Sequence, residues 1–293
     1  MDRPKLTAIM GATATGKSAL AEKLASHQNA VLMNADAFQV YRGMDIGTAK
    51  PVDKSDYMLL DLVSPSESFG VGQWIVSANS ELEKLYEKGQ SVILVGGSGY
   101  YIRALLEGYD AIYPAPNSDL RAVLNARILD EGLQSLASEL SQIDSELAAK
   151  TDLQNPQRVQ RALEKLLSFD SPLQFNLPPF NTTKLAIDSQ KEELEDKILR
   201  RFDNMMQKGW LQEVETLRAS GYRSNEPGFR AHGYRYLYQV IEGVMDLADA
   251  KAQTIRDVCN YAKRQRTWLR KEPKLLTLNG QNLDDQFAEA IEL

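Results

Sequence analysis

The 293-residue sequence contains one cysteine, Cys259, so no internal disulfide can form and a reducing, cytoplasmic setting is expected. No apolar run approaches the roughly 18 residues that a membrane-spanning helix needs. Internal repeats and low-complexity tracts are missing as well. With 43% hydrophobic and 25% charged residues the composition excludes disorder and predicts a globular fold. The chain enters an apolar run and a glycine-containing loop so soon after Met1 that no room is left for a signal peptide. Positive charge is scarce: a formal net charge of −6 argues at first against a nucleic-acid partner. Its distribution argues otherwise. From Arg256 to Lys274 the basic residues Arg256, Lys263, Arg264, Arg266, Arg270, Lys271 and Lys274 face only Asp257 and Glu272. A local basic surface on an acidic body still contacts phosphates, because counterion release depends on the contacts made.

In the first hundred residues short apolar runs alternate with helical patterns. Residues 5–10, 30–33, 57–63 and 91–95 read as buried strands, and 18–27 and 76–88 as helices. This order predicts a P-loop NTPase-like α/β fold, a parallel sheet flanked by helices. After Tyr113-Pro114-Ala115-Pro116 the apolar spacing turns helical, with Leu120, Val123, Leu124 and Ile128, then Leu133, Leu136 and Leu140. Asn155-Pro156 opens another helical stretch, and a Pro-rich linker from Ser171 to Pro179 closes the section. The expected organisation is a catalytic core of residues 1–114 and 178–293 with an all-helical insertion at 115–177. Residues 184–188 read as a returning strand, followed by helices at 190–220, 231–250 and 251–271.

Gly11-Ala12-Thr13-Ala14-Thr15-Gly16-Lys17-Ser18 matches G-x-x-x-x-G-K-[ST] in full, between a strand and a helix. Its backbone N–H groups form an anion nest, Lys17 neutralises a terminal phosphate, and the Ser18 hydroxyl reaches a Mg²⁺ ion. The loop specifies a di- or triphosphate without saying which. An ordinary nucleotide hydrolase also needs a carboxylate at the end of a neighbouring strand. The 91–95 strand ends instead in Gly96-Gly97-Ser98-Gly99, while the 30–33 strand is followed by Asn34-Ala35-Asp36. This leans away from a motor or switch.

The run from Asn34 to Pro51 (NADAFQVYRGMDIGTAKP) strongly resembles one family, the tRNA dimethylallyltransferases. So do Leu94–Tyr101, Pro156-Gln157-Arg158 with Arg161–Glu164, His232-Gly233-Tyr234, and Ala262-Lys263-Arg264-Gln265 with Thr267-Trp268. The blocks fall in the family's order from residue 11 to about 271. The resemblance implies transfer of a dimethylallyl group from dimethylallyl diphosphate to N6 of the adenosine immediately 3′ of the anticodon. Asp36 would be the general base, and Ser98, where the family usually has Thr, would hydrogen-bond the bridging oxygen of the donor. Lys17, the loop residues Gly11 to Ser18, Arg264 and Mg²⁺ would hold the diphosphate. The anticodon stem-loop would meet Asp36, Ala37, Phe38, Gln39 and Ser98, and on the insertion Arg121, Gln157, Arg158, Val159, Gln160 and Arg161. Further contacts would come from Arg230, Gly233, Tyr234 and Arg235, and from Lys263, Arg266, Trp268 and Arg270. A monomer without membrane association is expected.

Some positions depart from the family's usual residues. Cys259 stands where an arginine is common, Ala37 replaces a serine, Tyr57 a histidine, Asn155 an aspartate and His232 an apolar residue. A lost arginine removes a charge-assisted hydrogen bond of about 1.5–3 kcal/mol from a diphosphate site, for which Arg264 or Arg103 are candidate replacements. Three other functions use the same loop: a nucleotide or small-molecule kinase, a prenyltransferase acting on free adenylate, and a catalytically impaired tRNA-binding relative.

Overall fold

The computed structural model describes residues 3–108, 118–168, 175–187 and 191–293. The chain divides into two compact units, Met1–Gly108 with Asn176–Leu293, and Tyr109–Phe175. The Tyr113–Pro116 boundary, Ser171-Pro172 and Asp188 lie outside the described residues.

The larger unit is built on six parallel strands: β1 (Lys5–Gly11), β2 (Val31–Asn34), β3 (Tyr57–Met58), β4 (Val92–Val95), β5 (Asn181–Ile187) and β6 (Leu275–Leu278). Their order is β3-β2-β4-β1-β5-β6. β1 lies between β4 and β5, with Leu6 opposite Val92 and Thr182. Continuous apolar runs suit strands covered on both faces, and β4 is buried throughout. Helix α1 (Lys17–Gln28) packs Leu20, Ala21 and Leu24 against Ile9, Leu32, Ile93 and Leu185. Helix α2 (Val71–Glu87) is held to β2 by Trp74, whose indole N–H donates to the Asn34 carbonyl at 3.0 Å. Helix α3 (Gly99–Leu106) follows β4 directly and was not expected from the sequence.

The smaller unit contains α4 (Ser118–Glu131), α5 (Leu133–Ile143), α6 (Ser145–Lys150) and α7 (Pro156–Leu167). Leu124, Leu136, Leu140, Val159 and Leu163 form its core. Asn155 caps α7, its side chain accepting from the Gln157 and Arg158 amides. The fully buried Glu164 carboxylate takes a two-point contact from Arg121, at 2.6 and 2.9 Å, and a third from Arg161 at 3.2 Å. A carboxylate so enclosed requires this pairing.

The chain returns to the larger unit through α8 (Lys191–Gln207), α9 (Trp210–Ala219), a 3₁₀ turn (Gly228–Arg230), α10 (Tyr234–Ile241), α11 (Leu247–Leu269) and, after β6, α12 (Leu283–Ile291). Three expected spans are redrawn. The 190–220 helix breaks at Gly209, whose φ of +97° ends one helix and starts the next. The 231–250 and 251–271 helices meet elsewhere, because Asp246 caps a continuous α11. The 57–63 strand stops after Met58, since Leu59 and Asp61 adopt φ of +65° and +53°.

Asp61 belongs to a clasp around the Asp45–Pro51 run. The fully buried Lys50 ammonium donates to the Tyr41 carbonyl and to the carboxylates of Asp45 (2.8 Å) and Asp61 (2.5 Å). Glu213 on α9 accepts from three successive amides, Asp45, Ile46 and Gly47, at 2.8, 2.6 and 3.3 Å, and from the Tyr234 hydroxyl at 2.6 Å. Replacing Glu213 by Ala leaves these donors without their acceptor. The expected cost is about 3 kcal/mol, read as a lower urea midpoint with an unchanged slope.

Candidate active site

The phosphate loop connects β1, near the middle of the sheet, to α1. Thr15 Oγ1 donates to the Ala12 carbonyl at 2.9 Å, and Lys17 Nζ reaches the same oxygen at 3.3 Å. Ala14 sits at φ +63°, an uncommon conformation for a residue with a β-carbon and one concentrated at functional sites. No side chain among the described residues caps α1 and its first turn holds no acid, so the positive end of its dipole is left uncompensated there. The exposed Ser18 lies in that first turn.

Lys17 is accompanied by a second cation that the sequence reading missed. Arg201 on α8 lines the cavity of about 250 Å³ that also contains Thr13, Lys17, Ser18, Asp36 and Tyr261. It forms no hydrogen bond or ion pair with the described residues, and burial lowers its pKa against the opposing pull of Asp36. Burial first, then the Arg201 charge, presses Lys17 down to about 8, with Asp36 acting against both. A signal was present: Arg201 falls among Leu194, Ile198, Phe202 and Met205, the apolar side of an amphipathic helix.

Asp36 follows β2. One carboxylate oxygen, Oδ1, accepts the Phe38 amide at 2.9 Å, while its own amide donates to Asn34 Oδ1 at 2.9 Å. These turn bonds orient the side chain, and Oδ2 has no hydrogen-bond donor among the described residues. Ser98, after β4, accepts the Ala37 amide on its Oγ at 3.1 Å. The hydroxyl therefore keeps its proton for another acceptor. A second, mainly apolar cavity of about 100 Å³ is lined by Ile198, Phe202, Met205, Trp210, Ile255 and Val258, and shares Thr13, Asp36, Thr48, Arg201 and Tyr261 with the first. A cationic pocket and an apolar pocket thus meet at a carboxylate. That geometry suits a substrate with a polyanionic head and a short apolar tail, and chemistry at the carbon between them.

Tyr261 and His232 edge this junction with ring centres 5.2 Å apart. Burial, followed by the Asp36 charge, pushes the Tyr261 phenol up to about 12 and keeps it a donor. Burial lowers the His232 pKa and favours its neutral form.

The other expected site residues separate into two groups. Gln157, Arg158, Arg230, Arg235, Lys263 and Arg270 are exposed, and Phe38 and Arg266 half-buried. Val159 and Gln160 face the core of the helical unit, Gln160 Nε2 bonding the Arg121 carbonyl and Asn125. Arg121 and Arg161 address Glu164. Gln39 Nε2 holds the carbonyls of Thr48 and Ala49, and Tyr234 and Gly233 are interior. Trp268 stacks under Arg103, 4.6 Å from the guanidinium, while Arg103 pairs with Glu272. Arg264 lies outside the loop cavity; it lines a third cavity of about 330 Å³ with Ser98, Tyr100 and Trp268. Arg103 and Arg264 are therefore not the cations beside Lys17; Arg201 is. Cys259 packs with Val258 near Ala12, Leu194 and Ile198. Among the described residues no three His, Cys, Asp or Glu side chains cluster as a metal site, and no helix is long and apolar enough to cross a membrane.

An all-parallel sheet presenting this loop at an uncapped helix defines a P-loop-like α/β fold. The family profile described as IPP transferase matches residues 39–272, and the chain belongs to that family. A tRNA dimethylallyltransferase of Magnetococcus marinus is 38% identical over 281 residues, covering 91% of this chain and 92% of the relative. One of Gloeobacter violaceus is 36% identical over 300 residues, covering 98% of each. The crystal structure of the full-length tRNA isopentenylpyrophosphate transferase of Bacillus halodurans superposes with a TM-score of 0.71 at 32% identity, covering 99% of this chain and 95% of that one.

The depressed Lys17 gives a pH signature. Its charged form is the one that attracts phosphate, and above pH about 8 the free protein loses that charge. Affinity for inorganic pyrophosphate, followed by calorimetry from neutral to alkaline pH, should hold to that point and then fall by about tenfold per pH unit. Lys17→Arg should remove the inflection.

Proposed function

We propose that the chain transfers a dimethylallyl group from dimethylallyl diphosphate to N6 of the adenosine immediately 3′ of the anticodon of tRNA, releasing diphosphate. The observation that carries this reading is the junction of the cationic and apolar cavities at Asp36. The relatives' shared name supports it.

In this reading the loop from Gly11 to Ser18, Lys17 and Arg201 take the diphosphate, and the five-carbon group lies along Ile198, Phe202 and Met205. Positive charge at the leaving group lowers the barrier as the C1–O bond opens. The Ser98 hydroxyl donates to the bridging oxygen. Adenine N6 is a weak nucleophile, so Asp36 Oδ2 removes its proton as the N6–C1 bond forms. The adenosine must leave its stack to reach the carboxylate. The exposed Arg230, Arg235, Lys263 and Arg270 contact the anticodon stem-loop phosphates, together with Gln157 and Arg158 on the helical unit.

The donor set also fits Mg²⁺. Ser18 offers one hydroxyl and the described residues no acidic cluster, so the ion would complete its shell with diphosphate oxygens and water, as Mg²⁺ prefers. When bound it supplies charge neutralisation on the leaving group. The protein is read as a monomer acting in the cytoplasm.

Incubation with Mg²⁺, dimethylallyl diphosphate and an unmodified tRNA carrying adenosines after its anticodon should give prenylated adenosine, detected by mass after digestion. Asp36→Ala should lower turnover by about 10²–10⁴-fold with tRNA affinity largely kept. Parallel loss of both would remove Asp36 from the role of base. ATP-dependent phosphorylation of a nucleoside, without prenyl transfer, would replace this reading with a kinase.

A further inference from the structure

The Ala262–Gln265 run stood out in the sequence as a basic element, yet its glutamine has no part in the reading above. Along α11, Thr254, Val258, Tyr261, Gln265 and Trp268 recur at intervals of three and four and share one side of the helix. Lys263, Arg264 and Arg270 are exposed. Gln265 is only 7% exposed, and both ends of its amide are engaged by loops distant in sequence. Oε1 accepts the Thr13 amide of the phosphate loop at 2.9 Å. Nε2 donates to the Gly97 carbonyl at 2.8 Å. The Tyr261 hydroxyl donates to that carbonyl at 3.3 Å, so both of its lone pairs are used. A β-carbon at residue 97 would lie 2.5 Å from Gln265 Nε2, so glycine is what permits the approach.

The need for such a tie follows from the sheet. The phosphate loop leaves β1 and the Ser98 turn leaves its neighbour β4. Their register ends at Ile9 opposite Val95, with the Gly96 amide donating to the Ile9 carbonyl at 3.3 Å. Past that point the Gln265 side chain joins the two segments. The joined groups would act on opposite ends of one leaving group: loop amides and Lys17 on its phosphate oxygens, Ser98 on its bridging oxygen. Reactivity is sensitive to displacements of about 1 Å in such an arrangement.

We infer that Gln265 is a positioning residue that sets the spacing between the phosphate loop and the Ser98 turn, with Tyr261 as its auxiliary, so that both grip the same diphosphate. This inference rests on the proposed diphosphate site. It separates the two roles of α11: basic residues outward, and a neutral amide inward that completes the donor site.

Gln265→Met keeps length and removes both hydrogen bonds. Inorganic pyrophosphate affinity should fall by about tenfold and kcat by about 100-fold, with tRNA Kd and Tm near wild type. Gln265→Glu keeps an acceptor for Thr13 but sets an oxygen against the Gly97 carbonyl, and should lose kcat as well. Tyr261→Phe should be milder, since Gln265 still donates to Gly97. Weaker tRNA binding with normal pyrophosphate affinity and kcat would make Gln265 an RNA contact and overturn the inference. Wild-type behaviour would overturn it too, as would an equal loss of all functions together with a lower Tm. If the wild-type protein transferred no prenyl group, the proposed function would fail while pyrophosphate affinity still tested the tie.

Discussion

Lys17 and Arg201 are enclosed beside the uncapped start of α1, where the Asp36 charge opposes the lowering of both their pKa values. Burial disfavours each charge, so the free protein holds positive potential at a cost that an anion relieves. The rest of the larger unit serves this concentration of charge. β1 delivers the loop, β2 delivers Asp36 and β4 delivers Ser98, and the order β2-β4-β1 brings three chain segments to one sheet edge. α8 and α11 close the site from above, contributing Arg201 and Gln265. The apolar cavity beside the cations suits, in the proposed reading, an anion whose head is attached to a short hydrocarbon.

The Asp45–Pro51 run, highly specific to the family, has a mainly architectural part in this arrangement. Lys50 neutralises Asp45 and Asp61, and three of the run's amides are consumed by Glu213. Gln39 bonds the carbonyls at its centre. The result is a rigid wall that places Thr48 on the cavity next to Asp36. Residues matching a family block can thus be fixed by the need to hold the reacting groups rather than by contact with substrate.

The strands and the phosphate loop were legible because local signals define them: apolar runs, turn residues and a complete loop consensus. Asp36 became legible only through its neighbours, since an aspartate after a strand is an ordinary turn residue. The α8–α9 break was signalled by Gly209, but the shortening of β3 was not, because left-handed Leu59 and Asp61 are held by tertiary bonds, Leu59 from the Asn34 side-chain amide and Asp61 from Lys50 and Lys54. Helix α3 and the β6–α12 end were passed over, being short elements beside stronger patterns. Arg201 and Gln265 were obscured for a common reason. Each is a polar residue on the inward side of a helix, and its meaning depends on which loop it meets. Conversely, Val159, Gln160 and Tyr234 were expected to meet the anticodon stem-loop, and all three are buried.

The departures from the family's usual residues are mild once placed in the structure. Ala37 meets Ser98 through its backbone amide, which any residue but proline supplies. Asn155 caps α7 through a side-chain oxygen, as an aspartate would. Tyr57, half-buried, lines the loop cavity and turns its hydroxyl to Glu22 on α1 at 3.0 Å. Cys259 packs with Leu194 and Ile198, and burial, followed by the Glu195 charge, raises its thiol pKa. An arginine there would bring a further cation near a site where the Arg201 charge already adds to burial in depressing Lys17. Arg201, four residues from Met205 and three from Ile198, is the cation that the loop cavity and the apolar cavity share.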